Sequence, residues 1–420
     1  MAKKRIVVTG MGVVSCFGND VEDFYNQLLA GKSGIVPIQK FDASDYPTRF
    51  AGEIQNFNPG DYVNKRDARR VDPFISYTMV AGKKALEMGG ISPHDPASLA
   101  TLNRDHCGII IGSGMGGMGL FYDGVDTILH KTYRKLTPFF IPYIITNMGG
   151  ALLAIDLGFE GPNYSISTAC ATANNCIHAA AQQILDGSAD LMLCGGAEAP
   201  ITPVGLAGFV QIGALSKRND AIEAASRPWD KQRDGFVMGE GAGVLMLESL
   251  DHALARGATI YAEYMGGAIN CDAFHMTSPR EDGGSVAKCI EAALANASVE
   301  KSEVNYINAH ATSTPVGDLC EIRAIQKVFG EQCEKISVNA TKSMIGHSLG
   351  AAGAFASIAT IQAILKNEIH PTINLTHPEA ELAGLDIPTV AKKMKVNVGL
   401  ANSFGFGGHN STLVFREFTR

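Results

Sequence analysis

Three stretches of the chain carry residues able to do chemistry together. The first is Tyr164 to Leu185, Y-S-I-S-T-A-C-A-T-A-N-N-C-I-H-A-A-A-Q-Q-I-L, in which Tyr164 to Ser167 reads as a short buried strand. Ala171 to Leu185 reads as an Ala-rich helix with Ile177, Ala181 and Ile184 on one stripe, which puts Cys170 at the strand-to-helix turn. Unpaired N–H groups and the helix dipole favour a thiolate there. A free cysteine is equally at home as a small buried hydrophobe, so the assignment depends on what converges with it. Asn308 to Thr314, N-A-H-A-T-S-T, offers His310 at a strand end with Thr312 and Thr314 on one side. Thr341 to Gly353, T-K-S-M-I-G-H-S-L-G-A-A-G, offers Lys342 and His347 just before a helix. A thiolate with two imidazoles is equipped for acyl transfer, because thioester chemistry needs an activated sulfur and hydrogen-bond donors for developing oxyanions.

The elements that must position these residues alternate between short apolar runs and amphipathic helices punctuated by 46 glycines, the pattern of an α/β protein. Strands are expected at Ile6 to Val14, Gly108 to Ile111, Asp190 to Gly195 and Gly239 to Glu248, and helices at Val21 to Ala30 and Ile75 to Met88. After Arg256-Gly257 the order restarts: Ile260 to Asn270 echoes Ile6 to Ser15, Val286 to Ala297 is a helix, and Val304 to Ala309 and Ile336 to Asn339 are strands. Two similar halves, 1–255 and 256–420, are therefore expected. Thr137 to Ile155 carries no charge, yet Pro138, Pro142, Asn147 and Gly149-Gly150 interrupt it, so it reads as a buried core segment and not a membrane span.

A chain of 420 residues that is 46% hydrophobic can bury a large core, and a net charge of −7 without a long basic run argues against nucleic acid. Nine cysteines without a C-x-x-C pair or a Cys/His cluster at zinc spacing point to free thiols, a reducing compartment and no structural metal. Met1-Ala-Lys-Lys-Arg runs straight into a strand, leaving no room for a leader in this sequence.

Two motifs compete with this reading. Gly112, Gly114 and Gly117 fit G-x-G-x-x-G after a strand, but no second strand ending in an acid follows about 20 residues on, as dinucleotide binding requires. Gly346-His347-Ser348-Leu349-Gly350 fits the G-x-S-x-G elbow of serine hydrolases, with Asp386 and His409 following in triad order. Against it, little sheet remains after Ser348 and no H-G-G-G-type segment precedes it. The small residues Gly350 to Gly353 also serve close helix packing.

Taken together, Ser167 to Thr172, Asn308 to Thr314, Thr341 to Gly353 and Asn402 to Gly408 (N-S-F-G-F-G-G) resemble a β-ketoacyl-acyl-carrier-protein synthase of the elongating Cys-His-His type. The resemblance runs the length of the chain and is strongest to bacterial type II and plant plastid enzymes. It implies a thiolase fold, two α/β halves in a five-layered α-β-α-β-α core, as a homodimer in the cytoplasm or plastid stroma. It implies fatty acid elongation by an acyltransferase: Cys170 takes an acyl group from acyl carrier protein, malonyl-carrier protein loses carbon dioxide, and its carbanion attacks the acyl-enzyme. By the same resemblance His310 and His347 bind the malonyl thioester oxygen. The N–H groups of Cys170 and Phe406 form an oxyanion hole, and Phe406 gates the site. Lys342 orders it with Glu321 as ion partner, Thr312 and Thr314 hold the pantetheine arm, and Met115 lines the acyl pocket. No cofactor is implied beyond the phosphopantetheine on the carrier, and no membrane or nucleic acid partner.

Carrier proteins are acidic, so a locally basic docking face is expected despite the negative total. Lys65, Arg66, Arg69 and Arg70 form one candidate cluster, and Lys131, Arg134 and Lys135 another. A basic position common in the family falls on Gly213 here. A non-condensing partner subunit would lack the cysteine, and a thiolase would carry a second cysteine near the C-terminus, whereas none follows Cys333.

Overall fold

The computed structural model describes residues 4–64, 68 and 70–420. Ten strands hydrogen-bond into one sheet: β1 (Ile6–Val14), β2 (Cys107–Gly112), β3 (Asn163–Tyr164), β4 (Leu191–Glu198), β5 (Gly241–Ser249), β6 (Ala262–Cys271), β7 (Val304–Asn308), β8 (Ser337–Asn339), β9 (Val398–Gly405) and β10 (His409–Arg416). Their order is β8-β7-β9-β10-β6-β1-β5-β4-β2-β3. Read outward from the centre, β1-β5-β4-β2-β3 and β6-β10-β9-β7-β8 repeat one pattern, with two antiparallel pairings followed by two parallel ones. Among the described residues, strand pairing joins the two fives through three residue pairs, Ile6 with Tyr264, Val7 with Glu263 and Val8 with Ala262.

Helices cover both faces of each five: α1 (Pro73–Met88), α2 (Met148–Leu157), α3 (Thr172–Leu185), α4 (Gly284–Ala297), α5 (Pro315–Phe329) and α6 (Ala352–Lys366). Because both faces are covered, alternate residues of one strand enter different cores. Ile109 and Ile111 pack with α1 and α2, whereas Ile110 faces the central core with Ile177 and Ile184 of α3 and Phe355 and Ile358 of α6. Ile307, Leu400 and Val414 pack outward on α4 and α5. The result is five layers, α-β-α-β-α, with α3 and α6 in the middle. Truncating a fully buried side chain there, such as Ile177 to Ala, is expected to cost ~2–5 kcal/mol.

Close crossing of α3 and α6 explains the small residues of the second elbow-like motif. A Cβ on Gly353 would lie 2.3 Å from Asn174 Oδ1, and one on Gly350 would lie 2.5 Å from a carboxylate oxygen of Glu198. The stretch Leu349–Lys366 is long and apolar enough to cross a membrane, but 89% of it is buried inside the fold.

Two sequence expectations are corrected. Thr137 to Ile155 is not a buried segment: α2 buries Leu153, Ala154 and Leu157, while Ile141, Ile145 and Ile155 face outward, Ile155 being 75% exposed. The stretch Tyr164 to Ser167 is not a buried strand, since only Asn163–Tyr164 pairs, at the sheet edge, where one side has no neighbour. One further strand has no counterpart in the sequence reading: β9 pairs on both sides although V-G-L-A-N-S-F-G lacks a strand's apolar alternation. Its buried Asn402 and Ser403 are tolerated because both are hydrogen-bonded.

Candidate active site

Cys170 lies between β3 and α3, and His347 lies between β8 and α6, so the two occupy matching places in the repeated pattern. The turn before Cys170 takes Ala169 to a φ of 49°, which an L-residue with a Cβ adopts at a cost of about 1–2 kcal/mol. Local bonds hold it: Ala171 N–H donates to Thr168 O, Thr168 N–H to Thr172 Oγ1, and Asn175 Nδ2 to Thr168 Oγ1. From β9, Ser403 Oγ donates to the Cys170 carbonyl at 2.7 Å. The thiol is thus carried on a turn fixed from both halves of the sheet.

His347 Nε2 stands 3.0 Å from Cys170 Sγ. Its backbone is pinned to the segment running through Val237 and Gly239, N–H to Val237 O at 2.7 Å and O from Gly239 N–H at 2.8 Å. The His310 ring meets it edge-on, 5.3 Å between centroids and 85° between planes. Phe236 closes on His347 and Phe404 on His310, at 5.3 and 5.5 Å. Burial keeps both imidazoles neutral, their titration pushed well below the ordinary histidine range, with the Lys342 ammonium adding to the effect.

The expected thiolate is corrected by burial. Desolvation pushes the Cys170 thiol up to about 12, and it outweighs Lys342 and the N–H groups of Phe406 and Cys170, which pull the other way. The resting sulfur is therefore a thiol, although the two N–H groups aimed at it are those expected to form an oxyanion hole. Phe406 itself sits in the β9–β10 hairpin turn, where Gly407 and Gly408 take φ values of 90° and 77°.

The expected Lys342–Glu321 ion pair is also corrected. Glu321 is buried and its carboxylate accepts from His310 N–H, Ala311 N–H and Asn402 Nδ2, each at 2.9 Å. Among the described residues no carboxylate lies within ion-pair distance of the Lys342 ammonium. Burial draws Lys342 down to about 8, and Glu321 opposes this through space.

Cys170, His310, His347, Thr312, Thr314, Met115 and Phe406 all line one cavity of about 540 Å³. Thr312 and Thr314 hydroxyls are 3.0 Å apart within it. Gly213 lies on its rim. Of the basic candidates, Lys65, Arg66 and Arg69 lie outside the described residues, while Arg70, Lys131, Arg134 and Lys135 are exposed.

Neither competing motif assembles a site. The N–H groups of Gly114 and Met115 in the glycine-rich loop already point at the buried Glu198 carboxylate, at 2.8 and 3.0 Å, which is the wrong charge beside a phosphate. Ser348 is buried without a hydrogen bond to His409 or Asp386, and Asp386 is held instead by Ser337 and Lys392.

Sequence reasoning missed Glu198, Phe236, Phe404 and Ser403. Glu198 accepts from Ser113 Oγ, Gly114 N–H, Met115 N–H and Gly350 N–H, tying the acyl side of the cavity to the His347 loop. An acid inside the apolar run L-M-L-C-G-G-A-E was the available signal.

Comparison with known proteins places the chain in a family. The Beta-ketoacyl synthase N-terminal domain family matches residues 3–253 and the C-terminal domain family residues 261–376. The chain is 58% identical over 419 residues to chloroplastic 3-oxoacyl-[acyl-carrier-protein] synthase I of Hordeum vulgare, covering 99% of this chain and 90% of that one. It is 48% identical over 420 residues to 3-oxoacyl-[acyl-carrier-protein] synthase 2 of Vibrio cholerae, covering 99% and 100%. Among solved structures, a beta-ketoacyl synthase from Burkholderia phymatum superposes with a TM-score of 0.91 at 31% identity, over 99% of this chain and 100% of that one. A type II PKS ketosynthase solved in complex with its acyl-carrier protein superposes with a TM-score of 0.89 at 32% identity, with the same coverage. With a thiol and two neutral imidazoles lining one cavity, a thiolase-like fold and both domain families matched, the chain belongs to the β-ketoacyl synthase family.

Proposed function

We propose that the protein is a 3-oxoacyl-[acyl-carrier-protein] synthase of fatty acid elongation, joining malonyl-carrier protein to a Cys170-bound acyl chain by decarboxylative Claisen condensation. The observation that carries this is the 3.0 Å approach of His347 Nε2 to Cys170 Sγ with His310 alongside in the same cavity. Cys170 Sγ attacks the acyl thioester carbonyl, its proton leaving with the pantetheine sulfur, while the N–H groups of Cys170 and Phe406 hold the developing oxyanion. Acylation of the sulfur frees His347 Nε2. Neutral His310 and His347 then donate to the malonyl thioester oxygen, carbon dioxide departs, and the enolate carbon attacks the acyl carbon, expelling Sγ as a thiolate that takes up one proton from solvent to restore the thiol. The Lys342 ammonium supplies a positive field for the anionic stages, and the 312/314 hydroxyl pair holds the pantetheine arm.

The chemistry needs no metal or organic cofactor beyond the carrier's phosphopantetheine. The nucleophile comes from the half 1–255 and the histidines from 256–420. The outward apolar side chains of Phe121, Leu129, Ile141 and Ile155 support a homodimer covering that face. Arg70, Lys131, Arg134 and Lys135 suit an acidic carrier, and the cytosol or plastid stroma suits nine unpaired cysteines.

The test is formation of 3-oxoacyl-carrier protein from a medium-chain acyl-carrier protein and malonyl-carrier protein. Native protein and Ser348→Ala should make product and Cys170→Ala none; product from Cys170→Ala, or none from the native protein, defeats the reading.

A further inference from the structure

Thr312 and Thr314 present their hydroxyls side by side because the residue between them, Ser313, takes a left-handed φ of 67°. That conformation is unfavourable for serine and persists only where the surroundings hold it. They do so from one segment of the other half of the sheet. Arg227 N–H donates to Ser313 Oγ at 3.0 Å and Gly235 N–H to Ser313 O at 3.2 Å. Between them lies Arg233, whose side chain is 2% exposed.

The Arg233 guanidinium spends its donors on this loop. Nε donates to Thr314 O at 2.9 Å and Nη2 to Pro315 O at 2.6 Å, while Nη1 is anchored by Asp230 O at 2.8 Å and the Glu379 carboxylate at 2.7 Å. Asp318 Oδ2 lies 3.4 Å from Nε, and its other oxygen accepts from Thr314 N–H. Arg233 does not line the cavity, whereas its neighbours Asp234, Gly235 and Phe236 do. A planar fork that reaches two successive carbonyls fixes both position and orientation, which the single ammonium of lysine cannot reproduce.

We propose that Arg233 is a positioning residue for the pantetheine arm, its guanidinium clamping the Thr314 and Pro315 carbonyls so that the Thr312 and Thr314 hydroxyls form one preset pair. The inference rests on those hydroxyls holding the arm. It assigns Arg233 a role in recognising the thioester's carrier arm and none in the chemistry at Sγ.

The experiment measures acylation of Cys170 in the full-length protein, read by mass spectrometry, with two donors of the same acyl chain. In each, the Sγ–acyl bond forms, the donor's C–S bond breaks, and the thiol proton leaves with the released thiol. Acyl-pantetheine carries the arm; the acyl ester of ethanethiol does not. Arg233→Lys should lower the second-order rate with acyl-pantetheine about tenfold and leave the ethanethiol ester within about twofold. Equal losses with both donors, or no loss with either, overturn the proposal. Thr312→Val and Thr314→Val separate it from the reading beneath: if they too spare acyl-pantetheine, the hydroxyls do not hold the arm, and if only they discriminate, Arg233 does not set them. Should Arg233→Lys not fold, Glu379→Gln loosens the same guanidinium from outside, and the same discrimination decides.

Discussion

His347 Nε2 reaches Cys170 Sγ at 3.0 Å across 177 residues of sequence, and both groups are kept uncharged by burial. A buried thiol beside a neutral imidazole is slow to ionise in isolation. It becomes a nucleophile where substrate supplies an acceptor for its proton, which guards the sulfur against stray electrophiles.

Alkylation should report this directly. With the thiol pushed up to about 12 from an ordinary 9.0, the iodoacetamide rate at Cys170 is expected to climb with pH and show no plateau by pH 9. Lys342→Ala removes a cation that lowers this value, so the rate at a given pH should fall further. A plateau near pH 7 would mean the helix terminus wins over desolvation after all.

Glu321 governs Lys342 without touching it. Its carboxylate raises the lysine against a burial effect that has brought it to about 8. Glu321→Gln should therefore lower the lysine further and move the alkaline limb of malonyl-carrier decarboxylation to lower pH. The change also leaves three N–H donors facing an amide, at a cost of about 1–3 kcal/mol. A decarboxylation profile between pH 6 and 9 with an unmoved limb would show that the ammonium's charge is not what this step needs.

The candidate groups Cys170, His310, Lys342 and His347 are legible because each sits after a strand end, ahead of a small-residue helix or loop, and those places are set by local pattern. Their electrostatics were not. The sequence puts Cys170 at a helix N-terminus, yet only the packing of Phe236, Phe404 and the β9–β10 hairpin over it determines the dielectric around the sulfur. The pairing of Lys342 with Glu321 failed for a similar reason: the fold turns the carboxylate to two backbone N–H groups and Asn402, which residue spacing does not show. The segment around Ile141 and Ile155 misled because apolar composition alone does not tell a buried core from an exposed apolar face.

Gly405 should be irreplaceable although its neighbourhood is not strained. A Cβ there would stand 2.7 Å from Thr168 O and 2.9 Å from Cys170 N, both backbone atoms that cannot swing away. Gly405→Ala is expected to push the hairpin off the nucleophile turn, separating the N–H groups of Phe406 and Cys170. Loss of one oxyanion donor is worth about 10²–10³ in rate, so acyl transfer should fall by that order while the melting temperature changes little. Near-native acylation of the variant would place the oxyanion elsewhere.

A third buried histidine lies behind the site. His370 is buried, its Nδ1–H donating to Pro371 O and its Nε2 accepting from Thr341 Oγ1, both at 2.9 Å, directly before Lys342 in the chain. Burial lowers it from 6.5 to about 4. The unfolded chain therefore takes up a proton as pH falls through 6.5, while the folded protein resists until about 4. The stability that neutral His370 contributes is full above 6.5 and is lost progressively down to about 4, at ~1.4 kcal/mol per pH unit. Other buried groups titrate in the same window, Asp72 and Asp318 with the opposite sign because burial raises them to about 6, so the absolute curve is not diagnostic. The difference is: urea unfolding of native protein and His370→Asn at fixed protein concentration should show the variant's stability falling less steeply between pH 6.5 and 4.5, by about one proton. Parallel curves would mean that His370 is protonated in the folded protein, and Thr341 Oγ1 would then have to be its acceptor instead of its donor.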